Sequence, residues 1–133
     1  MPFEFVIDGP PVSQQTRRRS RVREWTQEVQ NVAESRWDTE PPVVGEVMVI
    51  ITYLYKGASL DVDNLPKPIL DALKGLVYSD DAQVSDLLCR KRDLNGDLRI
   101  QNPSSVLLET LGHSERFLHI AVDNAPSQEV AAW

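Results

Sequence analysis

Four aspartates could do chemistry in this sequence. Asp61 and Asp63 stand two residues apart, and Asp80 and Asp81 follow as an adjacent pair beyond one short amphipathic stretch. Carboxylates are hard oxygen donors, and Mg²⁺ takes oxygen ligands while keeping some of its waters. Brought together, these acids would repel one another, and a bound divalent cation removes that conflict. In an extended chain Asp61 and Asp63 point to the same side. The alternative is that Asp63 or Asn64 caps the helix that follows. A strand–helix–strand path between the pairs would return Asp81 beside Asp63.

Other chemistries fail on spacing. A calcium loop begun at Asp61 needs Gly at its sixth position and Glu at its twelfth, where Pro66 and Ala72 stand. An aspartyl nucleophile of the phosphatase kind wants an apolar strand running straight into the acids, but Lys56-Gly57-Ala58-Ser59 intervenes. A chain of 133 residues is short for that domain and for sugar-nucleotide transfer through Asp-x-Asp, and there is no Gly-rich phosphate loop. Cys89 stands alone, which excludes an internal disulfide and a cysteine-based zinc site. His113 and His119 lack a ligand partner and read as ordinary surface or core histidines.

The charge is uneven. Net charge is −6, yet residues 17–23 (Arg17, Arg18, Arg19, Arg21 and Arg23) hold five of the fourteen basic side chains and no acid, leaving nine basic against twenty acidic groups elsewhere. A basic arm beside an acidic body suits a protein that grips phosphates at one place and holds cations at another. A solvated charge run is the plainer alternative. Nothing is apolar enough for a membrane span, and the start Met-Pro-Phe-Glu-Phe-Val-Ile-Asp lacks the pattern of a secretory signal. A cytosolic protein is expected.

These residues need elements to position them. Phe3–Ile7 alternates as a first strand, ended by Gly9-Pro10-Pro11, and a polar Arg-rich loop or arm follows over residues 10–23. Glu24–Trp37 is helical, with Trp25, Val29, Val32 or Ala33 and Trp37 at helical spacing, so both tryptophans read as core anchors rather than base-stacking residues. Pro41-Pro42 stops that element. Val43–Tyr55 is apolar on both faces and belongs in the middle of a sheet, which puts the Asp pair near the end of a central strand. Ile69, Leu70, Leu73 and Leu76 form the stripe of a helix from about Pro68 to near Gly75, with Lys67, Asp71 and Lys74 on its other side. The first turn should be irregular, because Pro66 and Pro68 fit only near a helix start. Val84–Asp93 is a strand carrying Leu87, Leu88, Arg90, Lys91 and Arg92, and Asn95-Gly96-Asp97 a turn. Ser104–Leu111 is a short helix capped by Asn102 or Ser104, with Gly112 as its stop. Arg116–Val122 is the last strand and 124–133 a tail. The expected fold is α+β: one domain over residues 1–133, a mixed sheet of about four strands and two main helices.

The run Asp61-Val62-Asp63-Asn64-Leu65-x-Lys67-Pro68-x-Leu70-Asp71-Ala72-Leu73, followed by Asp80-Asp81-x-Gln83-Val84, resembles the signature of the RusA-type Holliday junction resolvases. Gly9-Pro10-Pro11-Val12-Ser13 resembles the family's Pro-Pro-Ser stretch after strand one. The resemblance implies a small, dimeric, Mg²⁺-dependent endodeoxyribonuclease of bacterial or prophage origin, with Mn²⁺ as a substitute metal and branched DNA, above all four-way junctions, as substrate. It implies Asp61, Asp63 and Asp81 as the essential acids, these three and Asp80 as metal ligands, Lys67 as the functional lysine, and Asp71 with Asp80 as recurrent acids. The products implied are a 5′-phosphate and a 3′-hydroxyl. The helix near 104–111 departs from shorter members, which make a tighter hairpin there. Arg17–Arg23, Lys67 and Arg90-Lys91-Arg92 are the expected DNA contacts. Two rivals remain: a non-catalytic branched-DNA-binding module, and a small metal-dependent nucleotide phosphohydrolase.

Overall fold

The computed structural model describes residues 2–57, 60–128 and 130. Along the chain run β1 (Phe3–Asp8), α1 (Arg19–Trp37), β2 (Val47–Tyr55), α2 (Pro66–Leu73), β3 (Val84–Asp93), α3 (Ser105–Thr110) and β4 (Arg116–Asn124). The sheet order is β1-β4-β2-β3. β4 pairs antiparallel with both β1 and β2, whereas β2 and β3 are parallel. The expected α+β fold with a four-stranded mixed sheet is what the chain adopts. β2 lies inside the sheet, as a strand apolar on both faces must. Parallel neighbours need a long crossover, and the crossover from β2 to β3 contains all four aspartates.

Successive β2 side chains serve opposite faces. Val47, Val49, Ile51 and Tyr53 join the main core with α1, α2 and alternate residues of β1 and β4. Leu54 packs on the other face with Leu107 and Phe117 in a smaller cluster. α1 buries Val22, Trp25, Val29, Ala33 and Trp37, so both tryptophans are core residues. Each large side chain so buried stabilises by about 1.5–3 kcal/mol. Trp37 stacks edge-on against Phe3 at 5.0 Å and donates from Nε1 to the Glu40 carbonyl at 2.8 Å.

Several boundaries differ from the sequence expectation. α1 begins at Arg19 rather than Glu24, because Val22 extends the buried stripe by one turn. The Arg-rich arm is thus half loop and half helix. That start has no side-chain cap and no acid in its first turn, and Arg19 and Arg21 face the positive end of the helix dipole. α1 ends at Trp37 as expected, but what stops it lies before the prolines, at Asp38 and Thr39, whose φ values of 62° and 54° are left-handed. β2 begins at Val47, and Val43 makes only an isolated bridge to Tyr78.

α2 starts and stops two residues earlier than expected. Pro66 occupies its first position, where no intrahelical donor is needed, and Gly75 lies beyond its end with φ of 85°. Its buried residues are Pro68, Ile69, Ala72 and Leu73, with Leu70 and Leu76 only partly covered. α3 matches expectation, with Ser104 Oγ accepting from the Leu107 N–H at 3.3 Å. The last strand continues to Asn124. Ala58 and Ser59 of the loop before Asp61, and Glu129 and 131–133 of the tail, lie outside the described residues. Among the described residues no helix is long and apolar enough to cross a membrane.

Candidate metal and phosphate site

After β2 the chain turns at Gly57, where φ of 86° suits a residue without Cβ. Asp61 is extended, and Val62–Asn64 close a 3₁₀ turn. That turn lies against edge strand β3, with the Cys89 thiol donating to the Val62 carbonyl at 3.5 Å. Cys89 pairs with Ile51, mid-strand in β2. The acids therefore sit over the flank of the sheet, not at the end of the central strand as the sequence suggested, because the segment after Tyr55 folds back. Nor does strand alternation relate Asp61 to Asp63, since Asp63 lies inside a helix of three residues per turn. The capping alternative also falls: Leu65 is the residue before α2, and no side chain caps that helix. Asp61 and Asp63 are exposed, and their carboxylates have no hydrogen bond or ion pair among the described residues.

The second acid pair is held firmly. Asp80 Oδ1 accepts from the Ala82 N–H at 3.2 Å, and Gln83 Oε1 accepts from the backbone N–H groups of Ser79 and Asp80 at 2.8 and 3.0 Å. This is a reciprocal capping box over the 3₁₀ turn Asp81–Gln83. The same Gln83 side chain donates to the carbonyls of Val43 and Gly45, both at 2.8 Å, tying the turn to the entry of β2. Asp81 is left pointing at Lys74, with 3.6 Å between charged atoms.

The exposed face of α2 links the two acid pairs. Lys67 Nζ meets Asp71 Oδ1 at 2.7 Å, one helical turn on. That hydrogen bond, then the Asp71 charge and to a lesser degree the Asp81 charge, raises the Lys67 pKa against a small opposing effect of burial. Beneath this face Tyr78 is fully buried and donates to the Leu70 carbonyl at 2.8 Å. Burial first, and then Asp81 and Asp71, push its phenol pKa up. Lys67, Asp71, Lys74 and Asp81 thus form one charged row. The structure does not bring Asp61, Asp63 and Asp81 into a cluster: among the described residues no three His, Cys, Asp or Glu side chains group closely enough for a metal.

The basic arm adjoins the first acid pair. The Gln14 N–H donates to the Asn64 carbonyl at 3.1 Å, fastening the loop that leads into α1 onto the turn bearing Asp61 and Asp63. Arg17, Arg18, Arg19, Arg21 and Arg23 are all exposed, and Arg19 folds back onto the carbonyls of Gln14 and Thr16. Arg90, Lys91 and Arg92 do not extend that surface as one strip. Arg90 Nε donates to Thr52 Oγ1 at 2.8 Å, on the sheet face away from α1 and α2, and Arg92 shares that face by alternation while Lys91 takes the other. His119 pairs with Glu4 at 3.2 Å, and His113 is exposed.

The donor chemistry fits a hard divalent cation at Asp61 and Asp63. Mg²⁺ is held by one or two carboxylates, with waters and substrate phosphate completing its sphere, and does not need an all-protein cage. Three positions were not singled out from the sequence for what they do here. Lys74 was legible only as a charge on the Lys67 face, and Gln83 only as part of a motif. Tyr78 carried no signal, since its role depends on a contact with Leu70. Comparison with protein-family models finds a match over residues 9–101 to the family described as Endodeoxyribonuclease RusA. The matched stretch covers well over half of the 133 residues and includes the arginine arm and all four aspartates. No curated protein matches the chain.

Proposed function

The chain belongs to the RusA endodeoxyribonuclease family, and from that membership we propose that it resolves four-way DNA junctions by Mg²⁺-dependent hydrolysis of phosphodiesters. The observation that carries this reading is the Gln14–Asn64 hydrogen bond at 3.1 Å, which ties the start of the arginine arm to the turn bearing two carboxylates that have no partner among the described residues. A phosphate track and a cation site must adjoin for a strand held by one to be cut at the other.

In this reading Asp61 and Asp63 would hold the cation, with Asp81, which now faces Lys74, as the third acid. Asp80 acts chiefly as the cap that presents Asp81, and Lys67 is a point charge for the scissile phosphate or the leaving oxygen. Asp71 orients Lys67 and keeps it protonated. When bound, the cation supplies a lowered pKa for water and neutralises charge building on the phosphate oxygens; Mn²⁺ would substitute. Arg17, Arg18, Arg19, Arg21 and Arg23 bind backbone phosphates and give salt-sensitive affinity. Lys91 belongs to the same side of the sheet. A junction has two-fold character and needs two cuts, so an isologous homodimer is the working form.

A synthetic four-way junction tests this. With Mg²⁺, paired nicks at the branch point are expected, ending in 5′-phosphate and 3′-hydroxyl, and none with chelator. Binding without cutting would favour a DNA-binding module. Release of phosphate from free nucleotides, with the junction intact, would favour a phosphohydrolase.

A further inference from the structure

The sheet face away from α1 and α2 carries a cavity of about 470 Å³, a size typical of small-ligand sites. Its floor is the sheet itself, through Thr52, Leu54, Arg90, Arg92 and His119, and its roof is the chain from Leu98 to Leu107. Among the described lining residues Arg90, Arg92 and Arg99 stand against Glu4 as the lone acid, and even with Arg99 paired to Asp97 at 3.7 Å this is an excess of cations in a protein whose net charge is −6. Glu4 is already engaged by His119 at 3.2 Å. Arg90 is aimed by its 2.8 Å bond to Thr52 Oγ1, which leaves its terminal nitrogens as donors for a planar fork of oxygens. Gln101 and Asn102 add amide groups to the rim, while Leu54, Leu98, Ile100 and Leu107 make one wall apolar.

A bare oxyanion needs no apolar wall and no such volume. We infer that this cavity binds a single nucleotide unit, its phosphate on Arg90 and Arg92 and its sugar or base against the Leu54–Leu107 wall. The choice of a nucleotide over another phosphate ester rests on the nuclease reading; the charge and shape of the cavity do not. Part of the roof, including Asn102, Ser104 and Leu107, lies beyond the stretch that matches the family. The cavity is on the opposite sheet face from the Asp61–Asn64 turn, so it is a second site and not an extension of the first. The unit would be either a free nucleotide or the 5′-phosphorylated end of a single strand.

Titration of metal-free protein with dTMP, a 5′-phosphorylated oligothymidylate, thymidine and inorganic phosphate tests this, followed by amide NMR shifts. Saturation by dTMP or by the phosphorylated strand is expected, with shifts at Leu107 and His119; which of the two binds tells the source. Thymidine and inorganic phosphate should bind at least about tenfold more weakly. Arg90→Gln should weaken binding about tenfold or more, the loss of a charge-assisted bond. Arg99, whose side chain is 85% exposed, can be changed to Gln without loss of folding and should weaken binding several-fold. No saturation by either nucleotide probe at about 10 mM, an order beyond a millimolar site, would overturn the inference. So would equal affinity for inorganic phosphate, or unchanged binding in both arginine variants. Asp63→Asn should bind the probes as wild type does. Intact pocket binding in a protein that cuts no junction would therefore sink the nuclease reading alone.

Discussion

Asp61 and Asp63 differ from the other acids of the site in that no described residue holds their carboxylates. Asp71 has Lys67, Asp81 has Lys74, and Asp80 has a backbone N–H. Free, exposed carboxylates two residues apart are costly only through their own repulsion, and a cation relieves that. Cys89 beneath them shows how the turn is kept in place. Burial pushes its thiol up to about 11 from an ordinary 9.0, so it remains a neutral donor to Val62. At pH 8 the thiolate fraction is then about a hundredfold below that of an ordinary cysteine. Alkylation of the native protein by iodoacetamide at pH 8 should be slower than in urea by about that factor, and should gain about tenfold per pH unit toward 11. Equal rates would show that the turn does not cover the thiol. The sign for stability follows: a raised pKa favours the neutral form, so this contribution is complete below about 9 and fades between 9 and 11 as pH rises.

Two elements convert the sequence into a site. The 3₁₀ turn at Asp81–Gln83 is held by one side chain making four hydrogen bonds, two of which staple it to the entry of β2. Gln83→Leu should cost about 2 kcal/mol in urea denaturation, since part of that set is solvent-exposed, and cutting should fall because Asp81 is no longer presented. A loss in stability no larger than that of an ordinary surface substitution would deny the staple. The other element is the first turn of α1, where arginines oppose the helix dipole. Arg21→Glu should stabilise the fold by about 0.5 kcal/mol while weakening DNA binding and flattening its salt dependence; unchanged binding would remove the turn from the DNA surface. The strands and the buried stripes were legible because period-2 and helical patterns are strong in β2, α1 and α2. What escaped was set by tertiary contacts. Val22 pulled α1 back to Arg19, Pro66 took the first helical position, and the fold-back after Tyr55 carried Asp61 to mid-strand. The motif in 61–84 named the acids, but no pattern in it says that Asp81 meets Lys74 or that Tyr78 reaches Leu70.

At the scale of the molecule, the sheet separates two charged surfaces. One face carries α1, α2, the four aspartates and the arginine arm, and is where DNA would be held and cut. The other carries the arginine-lined cavity under α3. The split explains how an acidic chain with net charge −6 can serve nucleic acid: its cations are concentrated where phosphate is wanted. If Asp61 and Asp63 hold the metal, DNA binding and cutting separate at the first acid pair. Asp63→Asn should bind a four-way junction within about threefold of wild type, because its phosphate contacts are intact. With Mg²⁺ its cutting rate should fall by at least about a hundredfold, as loss of a metal ligand exceeds the cost of losing an outer partner. A mutant that cuts at the wild-type rate would contradict the assignment of the metal site to Asp61 and Asp63.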